Sequence, residues 1–174
     1  MSRKLSIAAR VVAPVIAAVG LAAVLAVPTA VAADDCTARV AEAWAKVAAV
    51  PVYRQVVVLA PQGQRMETVV IGETVHVQVG DGWQKLDLKA GGRQAFAARF
   101  ASGAATVSCA VVGEETIDGV ATVLHDVTRA PIAGLETAPV RQKLWIRKSD
   151  GLVRRLVGDK ATVDVFYEGV SPPK

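Results

Sequence analysis

The chain is poor in the residues that most often carry chemistry. Two cysteines in 174 residues, Cys36 and Cys109, are too few for a disulfide-dense miniprotein, an iron–sulfur cluster or a four-thiolate zinc site. Two histidines, His76 and His125, leave a histidine-rich metal site equally short of ligands, so no cofactor is expected. No Gly-x-Ser-x-Gly elbow occurs, and Gly91-Gly92 and Gly80-Asp-Gly82 lack both the glycine spacing and the Lys-Ser/Thr of a phosphate cradle. His125 and Asp126 are adjacent, so in a strand they point to opposite faces and cannot serve each other as base and orienting acid. Glu114-Glu115, beside Gly113, reads as a solvated turn rather than as a pair of catalytic carboxylates. The chain is not expected to be an enzyme.

What is present is an ordinary globular composition, 52% hydrophobic, 5% aromatic and 21% charged, within the reach of a single domain. The net charge of +4 would suggest nucleic acid or an anionic membrane, but three of the twenty basic residues are Arg3, Lys4 and Arg10, and no acid precedes Asp34. Without residues 1–33 the balance is 17 basic against 16 acidic residues, and the electrostatic case for a nucleic-acid partner disappears.

Residues 1–33 run from a basic start through an apolar stretch, Val11 to Val27, to Pro28-Thr-Ala-Val-Ala-Ala33. This is the order of a secretory signal peptide. Val31 with Ala33, or Ala30 with Ala32, supplies the small residues read by signal peptidase, placing the cut after Ala33 or Ala32 and leaving roughly 141 residues. The rival reading is an uncleaved anchor, since Val11 to Ala33 is charge-free and just long enough to span a bilayer of about 30 Å. Pro28 and the absence of a basic cluster after the run favour cleavage and export to the periplasm, with no integral span left afterwards. Asp34 and Asp35 before Cys36 disfavour a lipid-attachment signal. In an oxidising compartment Cys36 and Cys109 are expected to form a structural disulfide, the alternative being a reactive thiol pair.

Beyond residue 33 a single domain, 34–174, is expected. Val40, Ala43, Trp44 and Val47 recur at helical spacing and Pro51 ends the stripe. Short β-rich runs follow at Val52–Ala60, Arg65–Ile71, Thr74–Val79 and Trp83–Leu88, then Thr106–Val112, Glu114–Ile117, Val120–Arg129, Gln142–Arg147, Leu152–Val157 and Thr162–Tyr167. Thr74-Val-His-Val-Gln-Val79 alternates strictly, placing Val75 and Val77 on one face and His76, read as solvated, on the other. Asp118-Gly119 and Asp150-Gly151 are hairpin turns. Gly91 to Ser102 can form a short helix with Phe96 and Phe100 on one side. Strands in direct succession predict an antiparallel meander. The expected fold class is α+β, a curved antiparallel sheet or incomplete barrel with short helices as a lid.

Three stretches carry a resemblance: Gly72-Glu-Thr-Val-His-Val-Gln-Val-Gly-Asp-Gly-Trp83, Thr116-Ile-Asp-Gly-Val-Ala-Thr-Val-Leu-His125 and Lys143-Leu-Trp-Ile-Arg-Lys-Ser-Asp-Gly-Leu152, followed by a closing Phe166-Tyr167 strand. In pattern and hairpin order this resembles the LolA/LolB-like and LppX-like exported lipid-binding proteins. The resemblance implies a LolA-like half-barrel, a hydrophobic cavity between sheet and lid, and a lipid or lipidated ligand bound by a carrier or chaperone. The cysteine pair departs from the lipoprotein carriers, and none of the residues that carry the resemblance matches the arginine by which those carriers hold their lid closed.

Two sets of site residues follow. Trp44, Val75, Val77, Trp83, Phe96, Phe100, Leu144 and Ile146 are candidates for a cavity lining, and equally for a filled core. Arg141, Lys143, Arg154 and Arg155, in a basic region that also holds Arg147 and Lys148, are either a solvated sheet face or a docking surface for anionic lipid headgroups or for an acidic partner such as an envelope protein. The second option defines an alternative function, a non-enzymatic interaction or sensor module.

Overall fold

The expected helical stripe and strand succession appear in a computed structural model of the chain that describes residues 33–95, 106–131 and 136–173. Helix α1 spans Ala33–Ala49, buries Val40, Ala43 and Val47 and stops before Pro51, whose ring lacks the N–H a further turn needs. The strands are β1 (Val52–Leu59), β2 (Gln64–Ile71), β3 (Thr74–Val79), β4 (Gly82–Asp87), β5 (Thr106–Ile117), β6 (Val120–Arg129), β7 (Val140–Arg147), β8 (Val153–Gly158) and β9 (Ala161–Phe166). A helical turn at 92–95 opens the segment between β4 and β5; Phe96 and Phe100 lie outside the described residues.

All nine strands form one antiparallel sheet in the order β4-β3-β2-β1-β9-β8-β7-β6-β5. The sheet is open, with β4 and β5 as its edges. It is not a single meander. Two meanders, β1 to β4 and β5 to β9, are sewn together where β1 pairs with β9, from Arg54↔Phe166 to Leu59↔Ala161. The Asp118-Gly119 turn has positive φ at both residues, 49° and 80°, the backbone that matches a tight hairpin to the strand twist.

One expected boundary is absent. Gly113 does not separate two strands but sits at a bulge within β5, where the register with β6 shifts between Val111 and Gly113. Glu114 and Glu115 are therefore strand residues, not a turn. Glu115 accepts a hydrogen bond from the Trp145 indole N–H at 2.7 Å, and Glu114 pairs with Lys148 at 2.6 Å.

The sheet's inner face carries the main core. Val127, Leu144, Ile146, Val153 and Val165 pack there against Val40, Ala43 and Val47 of α1. A smaller cluster of Ile117, Leu124 and Trp145 forms elsewhere; Leu124 and Trp145 are register partners, and their neighbours His125 and Leu144 take the inner face by alternation. A disulfide joins Cys36 of α1 to Cys109 of β5, with 5.7 Å between their Cα atoms, which ties the helix across the inner face.

Candidate functional site

Because β1, β2, β3 and β9 alternate, one row of mostly apolar side chains from each lies on the same face of the sheet as α1. Between them lies a cavity of about 500 Å³. Its helix wall is Trp44, Val47 and Ala48; its floor includes Tyr53, Val57, Val70, Val75, Val163 and Val165; Val153 and Leu156 close one side. Gln55, Thr68 and Gln142 are among its few polar groups. A concave, mostly apolar space of this size with sparse polar groups is what a small-molecule site requires.

Two arginines border the cavity, and both are held by the protein. Arg93, from the turn at 92–95, donates to the main-chain oxygens of Val50 at 2.8 Å and Ala48 at 2.7 Å. These carbonyls belong to the end of α1, where helix geometry leaves them without partners and the dipole favours a cation. Arg129 makes a bidentate pair with Glu136. Tyr53 sits on the floor with its hydroxyl pushed above the usual tyrosine range by burial, and the Arg93 charge works against that shift. Tyr167, whose ring lies 6.4 Å from that of Tyr53, donates to the Val153 carbonyl at 2.6 Å, and burial raises its pKa further.

On the other flank of α1 is a polar cavity of about 580 Å³, lined by Arg39, Glu42, Lys46, Glu114, Arg147, Lys148 and Asp150 together with Val123, His125 and Ile146. Its charges other than Arg39 are paired: Lys46 with Glu42 at 2.8 Å, Lys148 with Glu114 at 2.6 Å and Arg147 with Asp150 at 3.1 Å. His125 is buried against it, 1% exposed.

Among the residues expected to line a cavity, Trp44 and Val75 do so. Val77 shares the face of Val75. Trp83 pairs with Gln78, which alternates away from Val75 and Val77, so its side chain stands on the opposite face. Leu144 is fully buried in the core beneath α1, and Ile146 packs beside it while bordering the polar cavity. Tyr53, Val57, Val70 and the β9 valines complete the floor and were not singled out from the sequence. Their alternation in β1 and β9 is a signal, but it becomes informative only when those strands are known to be neighbours.

Of the basic residues, Arg141 is exposed and paired with Asp126 at 2.6 Å, holding that carboxyl below the usual range. Lys143 is exposed. Arg154 and Arg155 do not alternate. The register runs Trp145↔Arg155 and then Ile146↔Val153, so Arg154 is the extra residue of a bulge and both guanidiniums reach Asp164 Oδ1, at 3.1 and 2.6 Å. Arg154 is 4% exposed, also pairs with Asp118 at 2.7 Å and lies over the Phe166 ring at 4.4 Å. It is a buried structural cation rather than a presented one.

An open antiparallel sheet with a helix across its inner face and an apolar cavity between the two defines the class, the LolA/LppX-like fold expected from the sequence. It is the fold of LprF from Mycobacterium bovis, 15% identical, with a TM-score of 0.51 over 81% of this chain and 97% of that one. The Mycobacterium tuberculosis lipoprotein LppX is similar to the same degree: 14% identical, TM-score 0.51, covering 79% of this chain and 98% of its own. At such identities the likeness is one of fold. No protein-family model matches the chain, and no curated protein matches it. Among the described residues no helix is long and apolar enough to cross a membrane, and no group of His, Cys, Asp and Glu could hold a metal ion.

Proposed function

We propose that this chain is an exported protein, freed of residues 1–33, that holds a lipid or a lipid-linked group non-covalently in the cavity between α1 and the inner sheet face. The single observation that carries the reading is that cavity: about 500 Å³ of mostly apolar wall left beside a fully packed core. A fold relative that is itself a lipoprotein, LppX, supports it. Each methylene moved from water into such a wall contributes about 0.8 kcal/mol, so a chain of ordinary fatty-acid length gains enough to offset the entropy lost on binding. The role is that of a carrier or chaperone, with no catalytic step. Against the alternative of docking through the basic strands, Arg141, Arg154 and Arg155 are each engaged with a carboxylate, which leaves the exposed Lys143 of the four candidates without an ion pair among the described residues.

The test is native mass spectrometry of protein purified from a bacterial periplasm, followed by organic extraction of any adduct. An adduct that extracts as a lipid, and that Val163→Trp removes while leaving the circular dichroism intact, supports the reading. A bare mature mass, together with no uptake of the fluorescent apolar probe N-phenyl-1-naphthylamine at micromolar protein, refutes it. The same spectrum reports whether residues 1–33 have been removed.

A further inference from the structure

His125 is not used by the proposed function, yet it is among the largest fully buried side chains of the protein. Its ring lies on the inner face under α1. Nδ1 lies 3.1 Å from the Val123 carbonyl oxygen and, to bond it, carries the proton; Nε2, buried, makes no hydrogen bond among the described residues. Among the described residues no carboxylate forms an ion pair with the ring. The charged groups that line the polar cavity together with it come from each element around it: Arg39, Glu42 and Lys46 from α1, Glu114 from β5, Arg147 from the end of β7, and Lys148 and Asp150 from the turn that follows. Each of the three acids is matched by a cation of its own, whereas Arg39 makes no ion pair among the described residues. The one charge that acts on the ring, Arg39, thus disfavours a second positive charge there.

We infer that His125 is an acid-sensitive latch beneath α1: the helix seats on the sheet only over a neutral ring, so acidification loosens α1 and opens the apolar cavity it walls. The functional meaning of the latch rests on the lipid-binding reading. Burial, and to a lesser degree Arg39, hold the ring's pKa below the ordinary 6.5, the carbonyls of Val123 and Leu144 pulling the other way. The sign follows. Above pH 6.5 neither the seated nor the lifted form binds the proton. Below it the lifted form binds it and the seated form does not, so seating loses stability as the pH falls. The disulfide at Cys36 keeps a lifted helix attached.

The experiment is hydrogen exchange of residues 37–49 in the disulfide-intact protein between pH 7.5 and pH 5, corrected for intrinsic exchange, with β1 and β9 as internal reference. At pH 5 the corrected rate in α1 should rise relative to the strands, by at most about thirtyfold, the ceiling that an ordinary pKa of 6.5 in the lifted form sets, and His125→Phe should abolish the rise. Arg39→Glu, an exposed change that lets the seated form tolerate a protonated ring, should shrink it and decides the matter if His125→Phe does not fold. A flat wild-type profile, or a rise that both variants keep in full, overturns the latch. Uptake of N-phenyl-1-naphthylamine is followed in parallel: uptake with no response of α1 removes the latch and leaves the lipid reading, while a response without uptake at any pH does the reverse.

Discussion

Replacing Arg93 should unseat the end of α1, and the geometry sets the size of the effect. The guanidinium makes two charge-assisted hydrogen bonds, to Val50 and Ala48, from a position 9% exposed. Bonds of this kind contribute about 1.5–3 kcal/mol each. The two carbonyls lie at a half-buried helix end, where water can replace part of what is lost. Arg93→Met, which keeps most of the stem's volume, is therefore expected to destabilise the fold by about 2–4 kcal/mol. Arg93→Lys keeps the favourable charge at the helix terminus but not the fork that spans two oxygens, and should cost about half as much. The assay is urea unfolding at constant slope, read by far-ultraviolet circular dichroism. Because α1 walls the cavity, the Met variant should also take up apolar probe more weakly. A loss below about 0.5 kcal/mol for Arg93→Met, or equal losses for Met and Lys, would show that the two bonds are not what seats the helix.

Leu144→Ala removes a fully buried side chain from the layer between α1 and the sheet and should cost about 3–4 kcal/mol in the same urea assay. Reducing the Cys36–Cys109 bridge, which spans 73 residues, or replacing both cysteines by serine, should lower stability by roughly 4 kcal/mol through the entropy of the unfolded chain; thermal unfolding with and without reductant measures it. Gly151→Ala meets a backbone φ of 75° and places a Cβ 2.7 Å from Lys46 Nζ, with an expected loss of about 1–2 kcal/mol by thermal unfolding. Lys46 can move aside, so Lys46→Ala combined with Gly151→Ala should keep most of that loss.

Local signals in the sequence were strong where the physics is local. The spacing of Val40, Ala43 and Val47 defines the buried stripe of α1, and Asp118-Gly119 specifies a turn that needs two left-handed residues. The alternation of Thr74–Val79 gives the two faces of β3. Trp83 was also legible in principle: a two-residue Gly80-Asp81 turn opposes Val79 to Gly82, and counting one step outward sets Trp83 against Gln78, away from the valines. Gly113 misled because a glycine inside a strand can mark a bulge as well as an end. Arg154 and Arg155 were beyond reach, since alternation separates neighbours and only the ladder to β7 reveals the extra residue. The partners of Arg93 depend on bringing residues 48 and 50 against residue 93 in three dimensions, and no short-range pattern encodes that. His125 shares its parity with Val123 and Val127, which signals an inward ring, but whether a carboxylate awaits it there is a tertiary fact.

The seam between β1 and β9 also sets the order in which the molecule can be made. Each meander can assemble from neighbours in sequence, but the ladder between them joins residues more than a hundred positions apart, Arg54 to Phe166, so loop closure across nearly the whole domain must precede it. The middle of the sheet is thus its youngest part. Until the final strand is available, β1 and β8 remain unpaired edges, and the cavity floor that β9 completes does not exist. In a chain synthesised from its amino end, the cavity between α1 and the sheet therefore closes only once β9 has arrived.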